Sequence, residues 1–327
     1  MIRRHMIMSA AAATLALASC SGSDDPTPTP SPTPTPTPTP TASPTYTAFP
    51  LAAAAEFSTI NAATSYTGDP AGAVTLGVAS TEQMTTRVRL ATSNAIVTAT
   101  YVINENNEES RFTNTNVTVA PAPAVTEFVF RTDDTATAGK FSQLEFLNNT
   151  IPSQVTSNAN LALTNVSYAN WWRGASTTGT KRITTTVFGY QTVLTDMPTT
   201  GTQAYTSTVV GRLVSVSGAT TSVLRVSGTV TTSVNFSTGL VDLTLNLTTI
   251  PAGGGTPVAY ANFTARGAIP AGQNQFTGSF IAGNPLSGTI AGGFFGSQGK
   301  EIGITFAATG TIGGANQNLV GVVVGKK

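Results

Sequence analysis

The chain has 327 residues, of which 9% are charged, a formal net charge of +1, one histidine and one cysteine. A charge this sparse and balanced gives no electrostatic footprint for nucleic acid, and a single cysteine excludes an internal disulfide. With only His5 and Cys20 of their kinds, zinc sites, thiol nucleophiles and histidine acid–base chemistry have no residues to draw on.

The first segment has a basic start, Arg3 and Arg4, then an apolar run from Met6 to Leu17. That order predicts a secretory signal over residues 1–19, too short to span a bilayer as a mature helix. It ends Leu17-Ala18-Ser19-Cys20, which resembles the lipobox of bacterial lipoproteins. The resemblance implies cleavage before Cys20, transfer of a diacylglycerol to it, and a membrane anchor built from several acyl chains. Ser21, where an aspartate would favour inner-membrane retention, points to the outer membrane. Removal of residues 1–19 takes His5 away and leaves a mature chain without histidine.

Residues 20–45 are expected to be a linker. From 26 to 44 proline falls at nearly every second position, which forbids helix and sheet and favours polyproline II. At ~3.1 Å per residue such a segment reaches roughly 60 Å when extended, and Asp24 and Asp25 keep its near end solvated.

Residues 46–174 predict a β-rich first domain. Phe57 to Ala63 is expected to form a short helix or turn. Candidate strands follow at Ala73–Ala79, Thr85–Ala91, Ala95–Ile103, Arg111–Ala120, Thr126–Arg131, Phe141–Leu147 and Leu161–Trp171, divided by Gly, Pro and Asn turn signals. This part carries ten acidic and six basic residues.

Residues 175–327 are more regular and predict a barrel domain. Val241 to Thr248 alternates apolar and polar without interruption, the period of a half-buried strand. Similar runs occur at Arg182–Tyr190, Gln203–Val216, Val223–Asn235, Val258–Arg266, Asn274–Ala282, Ser287–Phe295, Glu301–Ala308 and Leu319–Val324. Eight or nine evenly spaced strands without a helix predict closure into an antiparallel barrel with a side-chain-filled interior. Eight basic and three acidic residues lie here. The charge difference between the two halves reads either as a partner surface or as mutual attraction between them.

Three segments of the second half resemble the transferrin-binding protein B type of surface lipoprotein. Gly293-Phe294-Phe295-Gly296-Ser297-Gln298-Gly299-Lys300-Glu301-Ile302-Gly303 is similar to that family's G-x-F-[FY]-G-P-x-A-x-E-[LI]-G hairpin. Ser297 and Gly299 replace the usual proline and alanine. Phe188-Gly189-Tyr190-Gln191-Thr192 followed by Met197-Pro198-Thr199-Thr200-Gly201-Thr202-Gln203-Ala204-Tyr205 resembles its opening barrel strands. Leu163 to Trp171 resembles its Tyr-x-x-Trp strand leading into the barrel. From the residues themselves, Met197-Pro198 and Gly201 predict a turn between the first two barrel strands. Phe294 and Phe295 point to opposite faces of one strand, so one is expected in the core and the other outside. Trp171 is expected in the core and Trp172 on the other face, open to a packing or a binding role.

The resemblance implies an all-β chain, a handle-like domain followed by an eight-stranded up-and-down barrel. It implies a non-catalytic outer-membrane lipoprotein on the cell surface, an iron or haem carrier as macromolecular ligand, a TonB-dependent receptor as partner, and no cofactor. A spacer or envelope-interaction lipoprotein is the alternative. Catalysis by carboxylate pairs would fall to Glu108-Glu109 or Asp133-Asp134, and both sit in turn-like polar stretches. No catalytic or metal-ligating residue is assigned; the one site residue is Cys20, as the lipidation site.

Overall fold

Threonine, valine and serine in alternation, punctuated by glycine, produce strands almost throughout. The computed structural model describes residues 43–251 and 253–327, so the signal, Cys20 and the linker through residue 42 lie outside the described residues. The first ten strands are β1 (Ala55–Thr67), β2 (Thr75–Leu76), β3 (Ser80–Thr92), β4 (Tyr101–Glu105), β5 (Glu108–Phe112), β6 (Val117–Val119), β7 (Glu127–Asp133), β8 (Phe141–Leu147), β9 (Val166–Gly174) and β10 (Thr180–Gly189). They form one antiparallel sheet in the order β5-β4-β3-β1-β10-β9-β8-β7-β6, with β2 paired to the far end of β1.

The other eight are β11 (Thr202–Ser217), β12 (Thr220–Asn235), β13 (Leu240–Ile250), β14 (Val258–Ala268), β15 (Gln275–Phe280), β16 (Ser287–Phe295), β17 (Glu301–Ile312) and β18 (Ala315–Lys326). They run up and down in chain order. The pairing of β11 with β18, from Thr206 opposite Lys326 to Val216 opposite Asn316, closes them into a barrel. Its interior is filled by Leu243, Leu245, Phe263, Phe276, Phe294 and Phe306, among others. An eight-stranded barrel is just wide enough for that filling.

Three expectations are corrected. Phe57 to Ala63 is neither helix nor turn but part of β1, the strand between β3 and β10. It is covered on both faces, so it lacks the alternation that marks a half-exposed strand. Arg182 to Tyr190 is not a barrel strand; β10 pairs with β1 and β9. The sheet therefore runs past residue 174, and the barrel starts at Thr202. Alternation reports that a strand has one buried face, not which sheet it joins. Met197-Pro198 and Gly201 accordingly connect the sheet to the barrel through a short 3-10 turn at Leu194–Asp196, and do not join two barrel strands.

The sheet curls. β5 and β7 stand at opposite ends of the strand order, yet Phe112 and Phe130 place their rings 5.7 Å apart. Inside the curl lies an aromatic core of Phe57, Tyr101, Phe128, Phe146, Trp171 and Phe188. The outer face of the sheet carries Ile60, Ala62, Tyr66, Tyr168, Ile183 and Val187 against the outside of the barrel at Val214, Ala291, Phe295, Val320, Val322 and Val324. Phe294 thus faces the barrel interior and Phe295 the sheet, and both are fully buried; the expectation that one lies outside is corrected too, because the sheet covers the barrel's outer face there. The barrel's apolar outer stripe is consumed by this contact. On the uncovered side β13 and β14 present Asp242, Thr244, Asn246, Asn262, Thr264 and Arg266.

One carboxylate fixes the two parts together. Glu301, at the start of β17 and 1% exposed, accepts the backbone N–H groups of Thr164 (2.8 Å), Asn165 (2.7 Å) and Val166 (2.8 Å), and the Thr164 hydroxyl (3.0 Å). These are the residues that open β9. Close approach here needs glycine. A Cβ on Gly303 would lie 3.0 Å from Val166 and 3.1 Å from Val187, and one on Gly296, where φ is +72°, would lie 2.4 Å from the Asn165 side chain. Two further ion pairs cross the contact, Arg212 with Glu145 and Arg225 with Glu127. Tyr168 donates to Glu127 at 3.0 Å. Burial and the Glu145 charge push the Glu127 carboxyl up, against the pull of Arg225. Mutual attraction between the acidic and basic halves therefore has a concrete form.

Glu301→Ala is predicted to leave three backbone donors without an acceptor. At about 1–3 kcal/mol for each buried unsatisfied group, urea unfolding is expected to show a loss of roughly 3–5 kcal/mol. Glu301→Gln, which keeps one acceptor oxygen, is expected to lose less. A loss under about 1 kcal/mol for the alanine variant contradicts the assignment.

Candidate functional site

The inner face of the curled sheet changes character toward one end. Alternation places Tyr101, Ile103 and Glu105 on one face of β4, Trp171 and Arg173 on one face of β9, and Arg182 on the same face of β10 as Phe188. The aromatic core is therefore followed by a hydroxyl layer and then an ionic layer at the mouth. In the hydroxyl layer the Trp171 indole N–H donates to Ser142 Oγ (2.8 Å), which bonds Ser110 Oγ (2.7 Å) across the curl.

Glu105 centres the ionic layer. It is 2% exposed and takes hydrogen bonds from Arg182 Nε (2.8 Å), Arg173 Nη2 (3.0 Å) and Thr184 Oγ1 (3.2 Å), with Arg182 Nη2 and Arg87 also paired to it. Burial pushes its carboxyl up, but the hydrogen bonds and charge of Arg182, joined by Arg87 and Arg173, outweigh burial and hold it down to about 2. Arg173 also lies over the Trp171 ring at 3.7 Å and pairs with Glu108. One buried carboxylate thus aligns three guanidiniums around the opening.

Beside this layer opens a cavity of about 720 Å³, within the range of ligand sites. One wall is β5, from Glu108 to Arg111; the other is the end of β7 and the turn to Lys140; Trp171 and Arg173 form the floor. Both carboxylate pairs singled out in the sequence line it. Each acid has a cation: Glu108 with Arg173, Glu109 with Arg111, Asp133 with Arg131, Asp134 with Lys140. The hydrogen bond from Arg131 holds Asp133 below the usual carboxylate range, and that from Lys140 does the same for Asp134. A wall of paired acids and bases presents charge of both signs.

The mouth lies far from where the chain enters the body. Tyr46 donates to Asp196 (2.7 Å) and accepts from Val193 N–H (3.1 Å), beside the Val166 and Gly189 ends of β9 and β10. The cavity is at their Gly174 and Thr180 ends, nine residues of β9 away, or roughly 30 Å at 3.4 Å per residue.

Of the residues singled out in the sequence, Trp171 is buried in the sheet core as expected. Trp172 turns to the barrel, where Arg212 sits 4.9 Å from its ring, so its role is packing. Cys20 is outside the described residues. Glu105, Arg173 and Arg182 went unassigned. The signal for Glu105 was its place on the Tyr101–Ile103 face, where a charge must be paired to be buried.

No protein-family model matches this chain, and no curated protein matches it. The solved structures to which it is similar include transferrin-binding protein B. A double mutant of the vaccine antigen Transferrin Binding Protein B from Haemophilus parasuis Hp5 has a TM-score of 0.36 at 15% identity, covering 78% of this chain and 55% of that one. Intact Ap-TbpB, with N and C lobes, has a TM-score of 0.36 at 13% identity, covering 83% and 77%. The isotype 1 protein from serogroup B Neisseria meningitidis has a TM-score of 0.40 at 15% identity, covering 82% and 44%. The chain spans about half the length of the first and third of these.

Acid titration is predicted to expose Glu105. Its folded value lies below the unfolded one of about 4.3, so its contribution is complete above that range and is lost as pH falls through about 4.5 toward 2. Glu105→Gln is expected to remove much of the decline in urea-measured stability over that window. It should also lower stability at pH 7 by roughly 3–5 kcal/mol, because it leaves three guanidiniums without their shared partner.

Proposed function

We propose that this chain is an outer-membrane lipoprotein, acylated at Cys20, whose proline-rich linker displays a non-catalytic binding body at the cell surface. The observation that carries this reading is the open, mixed-charge cavity at the end of the sheet farthest from the chain's entry at Tyr46. A ligand site is best placed on the side of the body turned away from its anchor. The lipobox-like ending and the Pro/Thr segment support the anchoring half of the reading.

The ligand class follows from the motifs. Gly293 to Gly303 and Phe188 to Tyr205, read as transferrin-binding protein B-like, build the contact between sheet and barrel here. Glu301, Gly303 and Phe295 serve it directly. A body joined in that way is proposed to capture an iron or haem carrier, or another solute, for uptake, with a TonB-dependent receptor as partner.

Protease treatment of intact cells is expected to remove the body while periplasmic proteins stay whole. Cys20→Ala is expected to release the protein from the membrane fraction. A body that resists protease on intact cells, or a Cys20→Ala protein that still partitions with membranes, overturns the reading. Loss of growth on a carrier-bound iron source after deletion separates uptake from a spacer role.

A further inference from the structure

The cavity at the mouth is bounded by two strand edges without partners. β5 is the last strand of the sheet at one end. At the other end β6 meets β7 only at Phe130 and Val129, and Thr132 and Asp133 further along β7 line the cavity. The hydrogen-bonding phase of each edge can be read from its hairpin. β4 and β5 join through the two-residue turn Asn106-Asn107, with φ of 55° at Asn106, and Glu105 pairs with Glu108. In such a turn Glu105–Glu108 and Ile103–Ser110 are the hydrogen-bonded pairs, so the main-chain groups of Glu109 and Arg111 turn outward. On β7, Asp134 N–H donates to Lys140 C=O at 2.9 Å. That makes Asp134 and Thr132 bond toward β8, and it turns the main-chain groups of Asp133 outward. Two sets of free donors and acceptors thus face one space.

We propose that this space takes an extended segment of a partner protein, which adds as a strand beside β5 with its other edge turned to β7. The inference rests on the binding role above and names its ligand chemistry. Strand addition uses main-chain hydrogen bonds for affinity and neighbouring side chains for selection. The free edge of β5 is short and charged at Glu108, Glu109 and Arg111, which discourages indiscriminate pairing. The lining offers carboxylates at Glu108, Glu109, Asp133 and Asp134 beside cations at Arg111, Lys140 and Arg173, so a segment bearing both signs of charge is matched and a run of one sign is not. Trp171 and the Ser110–Ser142 pair lie under the segment, where alternate side chains reach inward.

The probe is a random twelve-residue peptide library displayed on phage, selected against the full-length protein in detergent. Selected peptides, made synthetically, are expected to slow hydrogen exchange at the amides of Glu109 and Arg111. Glu109→Pro removes one outward N–H without touching the β4–β5 ladder, a placement proline tolerates on an edge strand. It is expected to weaken those peptides at least tenfold while the unfolding midpoint stays near that of the parent. Peptides that bind the proline variant equally, or bind with no change at these amides, overturn strand addition and leave tethered capture standing. Failure to select any peptide also overturns it. Failure of protease shaving instead removes the surface role and leaves the peptide result intact.

Discussion

The Glu301 carboxylate is the constraint on which the body depends. It belongs to the barrel, and its acceptors are filled by the backbone that opens β9 of the sheet. Three N–H groups at the start of a strand have no ladder partner of their own, and burial makes an acceptor obligatory. A charged acceptor supplies it strongly. Because β9 sits between β8 and β10, fixing its first residues fixes the tilt of the sheet on the barrel. Gly303 and Gly296 are the steric condition for that approach, and Phe295 is the apolar surface beneath it.

From that contact the site follows. The barrel covers the outer face of the sheet, which leaves the sheet free to curl only around its other face. The curl gathers an aromatic core and ends in a polar mouth where Glu105 organises Arg87, Arg173 and Arg182. Glu105 holds these guanidiniums in place, since it is 2% exposed and would be left a buried, unpaired charge if they moved away. Flexibility is thereby confined to the exposed acids and bases of the rim, where screening makes each pair worth little and a ligand can replace one partner by another. Rigid floor and exchangeable rim are what a binding surface needs.

The barrel was legible residue by residue. β13 reads Val241-Asp242-Leu243-Thr244-Leu245-Asn246-Leu247-Thr248 because each apolar residue enters the filled interior and each polar one meets water. Phe294 and Phe295 were correctly assigned to opposite faces, but not the reason both are buried: one faces the barrel interior and the other the sheet. β1 was missed because both of its faces are covered, which erases the period that marks a strand. β10 was given to the wrong sheet because pairing partners far apart in sequence leave no local trace. The two carboxylate pairs were seen as turn acids, and so they are; that they share one cavity follows only from the curl, which brings β5 beside β7. Glu105 was readable in principle, as a charge in phase with Tyr101 and Ile103.

The central claim is that sheet and barrel are one cooperative body. Both tryptophans, Trp171 and Trp172, lie in the sheet, and the chain has no others. Tryptophan fluorescence therefore reports on the sheet and, through Trp172, on its contact with the barrel, while far-ultraviolet circular dichroism reports on all strands. In equilibrium urea unfolding the two signals are predicted to fall in a single coincident transition. A fluorescence transition completed at lower urea, with most of the strand signal still present, would contradict the account.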